Sequence, residues 1–73
     1  MFILSVRKDN EDKVHHSWTS ETWFEMVEYI ERLLLVFAMQ PDYVISALDI
    51  DNGSFVVIWN GFVYRYQVLS TKG

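Results

Sequence analysis

Cysteine is absent from the 73 residues, so neither a disulfide nor thiolate-bound zinc can supplement the core. Packing alone must hold such a chain, and its composition suits a reducing compartment. Long apolar runs are missing too. The longest, Leu33 to Met39, falls far short of the roughly 20 residues that span a bilayer. The apolar start Met1-Phe2-Ile3-Leu4 is too short for the core of a signal peptide and has no basic region ahead of it. A soluble cytoplasmic protein without a membrane partner is the expectation. Basic charge is scarce: six Lys and Arg stand against ten Asp and Glu, a formal net charge of −4. That balance repels phosphate backbones and makes a basic protein surface the natural attraction. Phosphate loops, dinucleotide fingerprints and supersecondary repeats are also lacking.

What the chain has in abundance is apolar surface. A length of 73 residues makes one domain, residues 1–73, near the lower size limit for a single core, where roughly 60% of the unfolded chain's surface is buried. Hydrophobic residues at 51%, aromatics at 16%, exceed what so small a core requires. They imply either dense packing or a second buried surface.

Periodicity organises that surface. Phe2, Leu4 and Val6 alternate with Ile3, Ser5 and Arg7, as a strand with one inward face requires. After Asp9-Asn10-Glu11-Asp12, residues 13–18 can return as a second strand with Val14, His16 and Trp18 on one side. Thr22-x-x-Glu25 matches a capping box, and Ser20 is an alternative cap. Trp23, Met26, Val27, Ile30, Leu33, Leu34 and Phe37 then recur at helical steps opposite Glu21, Glu25, Glu28 and Arg32. Glu28 and Arg32 are one turn apart in the favourable order. Pro41 disfavours helical geometry at Gln40, so the helix should stop there. Leu35, Val36 and Met39 make its last turn apolar nearly all round, which calls for burial from more than one direction.

Two of the three glycines follow asparagine, at Asn52-Gly53 and Asn60-Gly61. In an apolar, aromatic stretch, such pairs read as the tight turns of a three-stranded meander. With two-residue loops, Asp51 faces Ser54 and Trp59 faces Phe62. One face then gathers Val44, Ser46, Leu48, Ile50, Phe55, Val57, Trp59, Phe62, Tyr64, Tyr66 and Val68. The other gathers Tyr43, Ile45, Ala47, Asp49, Val56, Ile58, Val63, Arg65 and Gln67. A three-residue loop at Asp51-Asn52-Gly53 would flip the first strand and carry Asp49 into the core. The fold class expected is α+β, β(β)αβββ: a mainly antiparallel sheet, the C-terminal meander plus one or two N-terminal strands, with one helix on one face.

Chemical motifs are sparse. His15 and His16, adjacent on a strand, point to opposite faces and cannot jointly grip a metal. Ser17 and Thr19 near His16 show no third group or oxyanion loop. Gly61-Phe62-Val63-Tyr64-Arg65-Tyr66 departs in residue order from the base-stacking strand of RNA-recognition motifs, and its register turns Tyr64 and Tyr66 inward. No enzyme, cofactor, metal or nucleic-acid partner is expected.

The expected function is a non-enzymatic protein-binding module that occludes or bridges a basic or apolar partner. In size and style it compares with small inhibitors, immunity proteins and phage-encoded host-takeover factors. Its surface would be Tyr43, Ile45, Val56, Ile58, Val63 and Arg65 on the second sheet face, with Glu21, Glu25 and Glu28 speeding encounter. The alternatives are a homodimer through that face and a small-ligand carrier built on Trp18, Trp23 and Trp59.

Overall fold

The computed structural model describes residues 1–71 and has the α+β architecture, one helix on a five-stranded antiparallel sheet. In chain order the elements are β1 (Phe2–Lys8), β2 (Val14–Ser20), α1 (Trp23–Ala38), β3 (Tyr43–Asp49), β4 (Ser54–Trp59) and β5 (Phe62–Ser70). The strands lie in the order β2-β1-β5-β4-β3. The chain's last strand therefore sits at the centre, and the N-terminal hairpin widens the sheet beside it. No helix of the described residues is long and apolar enough to cross a membrane.

The helix begins where the capping signal puts it. Thr22 is the N-cap, extended, and its Oγ1 accepts from the Glu25 amide at 3.2 Å. The Glu25 carboxylate accepts the Thr22 hydroxyl proton at 2.9 Å, closing the first turn on itself. At the other end the Gln40 amide donates to the Phe37 carbonyl at 3.0 Å, a tightened final turn just before Pro41. Met26 and Ile30 are buried from the helix; Leu4, Phe55, Val57 and Val68 meet them from four strand positions. Phe55 stacks on Tyr66 across β4 and β5 (centroids 4.6 Å apart) and Phe2 meets Trp23 edge-on at 5.4 Å.

The two Asn-Gly pairs behave differently. Asn60 (φ 51°) and Gly61 (φ 80°) both take positive φ, the two-residue turn expected, and Trp59 pairs with Phe62. At the other pair only Gly53 does (φ 65°). The Gly53 amide donates to the Ile50 carbonyl at 3.1 Å, and Asp49, not Asp51, pairs with Ser54. Asp49 closes this longer loop by accepting from the Asn52 side chain at 2.7 Å. A shift of two residues preserves parity, so Asp49 stays on the outer face as expected. A bulge then reverses it: between Ser46 and Asp49 the register slips by one residue, with Ala47 at φ 50°. Tyr43 and Ile45 consequently pair with Trp59 and Val57 on the helix face, while Val44 and Ser46 pair with Ile58 and Val56 on the outer face. This corrects the expected placement of all four. A second slip, between Leu4 and Ser5, separates the residues grouped on β2. Trp18 stacks on Tyr29 of the helix at 4.5 Å, whereas His16 lies across from Ser5 on the other side.

Candidate protein-binding surface

A sheet of five strands is about 19 Å wide at 4.8 Å per spacing, and one helix with its side chains covers about 10–12 Å. One helix cannot roof it. Bare strips follow along both flanks of α1, and the outer face has no covering element among the described residues.

The strip beside β3 is the more apolar. Leu34, Leu35 and Ala38 of the helix, with Ile45 and Leu48 of the strand and Glu31 at the rim, line a groove of about 420 Å³. Around it large apolar side chains stand in solvent: Met39 is 81% exposed, Leu35 64%, Val44 56% and Leu48 54%. Val44 belongs to the outer face, so the apolar surface continues round the edge of the sheet. That edge is itself open, since β3 pairs only with β4 and no described strand lies beyond it. The groove thus offers unpaired backbone donors and acceptors along β3, with apolar contacts on both sides. Its charged surroundings are acidic: Glu31 at the rim, with Asp42 and Asp49 at the two ends of β3.

The residues expected to form one docking face are distributed as follows. Val56, Ile58, Val63 and Arg65 share the outer face, half-buried except for exposed Arg65. Arg65 faces Arg7 across β1 and β5 and is held by Asp9 (Nε to Oδ1 3.0 Å, Nη2 to Oδ2 3.4 Å). Tyr43 leaves that set for the helix face, where it packs on Phe37 at 4.9 Å. Ile45 also leaves it, becoming part of the groove floor. Glu21, Glu25 and Glu28 lie on the helix side of the sheet. Glu25 is engaged by Thr22 and Glu28 by Arg32 at 3.5 Å, so they form no common surface with Val56 and Ile58. The three tryptophans are likewise dispersed: Trp18 on Tyr29, Trp23 on Phe2, and Trp59 near Tyr43 at the far end of β4.

Leu48 and Leu35 lie outside the contact set that the sequence pattern predicts. The signal for Leu35 was present in a helix end that is apolar all round, but nothing in the pattern said which neighbour would leave it bare. Among titratable groups, burial pushes the Tyr66 hydroxyl above its ordinary value, with the nearby Tyr29, Tyr43 and Tyr64 adding to the effect. No cluster of three or more metal-ligating side chains occurs among the described residues. Comparison of the chain with protein-family models, with curated proteins and with solved structures gives no match.

Proposed function

We propose that this chain is a non-enzymatic protein-binding module whose docking surface is the β3 edge with the apolar groove between β3 and α1. The observation that carries the reading is the coincidence of an open strand edge with exposed Leu35, Met39, Val44 and Leu48 around it. Strand addition satisfies the backbone groups of such an edge, and flanking pockets select side chains. The acidic frame of Glu31, Asp42 and Asp49 favours a partner segment that is apolar at its centre and basic at its ends. It disfavours a second copy of this chain, because antiparallel pairing of two β3 strands about their middle would bring Asp42 of one towards Asp49 of the other. Occlusion of the partner's own surface is the mechanism, as in small inhibitors.

The test compares Leu48→Lys and Val56→Lys in affinity capture from the native host, with circular dichroism as the fold control. Both positions are surface-accessible, and Leu48→Lys should shift stability by only about 0.5 kcal/mol. Loss of the captured protein with Leu48→Lys, but not with Val56→Lys, is the expected result. The reverse would move the interface to the outer sheet face, and light scattering that shows a dimer at micromolar concentration would replace the foreign partner with self-assembly.

A further inference from the structure

Where α1 ends at Ala38, the helix side of the sheet is left unroofed over a row of rings. Phe37, Tyr43, Trp59, Tyr64 and Tyr66 line a cleft of about 230 Å³ with Val57 at its base. Tyr43 and Trp59 lie nearly parallel (20°) with centroids 5.9 Å apart, and Asp42 and Trp59 both line the adjoining hollow. None of the hydroxyls of Tyr43, Tyr64 and Tyr66 hydrogen-bonds another described residue, and none is sealed from water. We propose that this cleft is a binding site for an organic cation, a guanidinium or alkylammonium group.

Four features converge on that chemistry. Aromatic faces carry negative quadrupole charge and attract cations lying over them. Three phenolic oxygens offer acceptors to N–H donors. Asp42 brings a negative charge to the adjoining hollow, which shares Trp59 with the cleft. The C-terminal end of α1, whose last turn contains no basic residue and contributes Phe37 to the cleft wall, brings its negative dipole end close by. A ring beside the row already holds one cation intramolecularly: Lys8 Nζ sits 4.0 Å from the centroid of Phe62, and Phe62 pairs with Trp59. Lys8 serves the β1 side of the row, and the Asp42 side has no cation of its own among the ion pairs of the described residues. The cleft lies across the sheet from Val56 and Ile58 and at the end of β3 rather than along its edge, so the inference stands whether or not β3 recruits a strand.

The experiment is a titration of the full chain, labelled with nitrogen-15, with N-acetyl-arginine methylamide, choline and the neutral isostere N-acetyl-citrulline methylamide, following the indole N–H signals at constant ionic strength. The expected result is a saturable shift of Trp59, half-complete at about 10 mM or below, with Trp18 and Trp23 unmoved and citrulline at least about fivefold weaker. Asp42→Asn, at an exposed position, should weaken it about threefold, and Tyr64→Phe should lower the preference for arginine over choline by removing an acceptor while keeping the ring. Arginine binding more tightly than choline assigns the cleft to a basic side chain of another protein; the opposite order assigns it to a free quaternary ammonium compound. Citrulline equal to arginine, or no saturation by about 50 mM, overturns the proposal.

Discussion

Replacing Gly53 by alanine tests the packing of the core against the β3–β4 loop. Gly53 is buried at φ 65°, and a Cβ there would fall 2.6 Å from Val68 Cγ2, 2.8 Å from Val68 Cβ and 2.9 Å from Trp23 Cη2. Two costs add. Holding an L-residue in the left-handed region costs about 1–2 kcal/mol, and forcing a methyl group into filled space costs about 1–3 kcal/mol more. Gly53→Ala should therefore lose about 2–5 kcal/mol, against a total of roughly 4–11 kcal/mol for a domain of this length. Gly61 provides the internal control: its φ is 80°, but nothing lies within 4 Å of the Cβ position. Gly61→Ala should carry the backbone cost alone, about 1–2 kcal/mol. Urea denaturation of both variants, with m-values compared to detect changes in the unfolded state, measures the difference. An excess of at least about 1 kcal/mol for Gly53→Ala is expected, and adding Val68→Ala should recover part of that excess, because it removes the Cγ2 methyl at 2.6 Å while the contacts with the residue 68 Cβ and with Trp23 remain. Equal losses at the two glycines would refute the close approach of Val68 and Trp23.

Thr22→Ala removes the cap that satisfies the Glu25 amide and should cost about 1 kcal/mol, read as a fall in the urea midpoint with unchanged m-value; no change would mean another residue caps α1. For Tyr66, the folded state holds the phenolic proton more tightly than the unfolded chain, whose group titrates near 10.0. Stability is then full below that pH and falls as pH rises from it through the higher folded value. Thermal melts between pH 8 and 11 should show a steeper alkaline decline in the wild type than in Tyr66→Phe, and identical profiles would sink the assignment.

Much of the fold is legible because several of its signals are local. The Thr22 cap and Pro41 delimit α1, and Asn60-Gly61 sets the β4–β5 register, from which the inward places of Phe55, Val57, Tyr66 and Val68 follow. The candidate surface is less legible. Tyr43-Val44-Ile45 is apolar without alternation, so either parity would bury a hydrophobic side chain, and Ser46-Ala47-Leu48 contains no glycine to mark the positive φ of the bulge. Asn52-Gly53 carries the same dipeptide as the true two-residue turn, yet Asp49 and Gln67 capture it in a longer loop: Gln67 Nε2 donates to the Asn52 carbonyl at 3.1 Å.

Capping, turn chemistry and periodicity act over a few residues, so the elements, the helix limits and the inward faces of β4 and β5 are already set by local stretches of the chain. Long-range assembly places β1 between β2 and β5, leaves β3 at an open edge, and turns Tyr43 and Ile45 in its first half toward the helix. Those outcomes depend on which distant apolar surfaces fit together within the width of one helix. Such a competition is settled by packing across the whole sheet, and no short stretch of the chain encodes it.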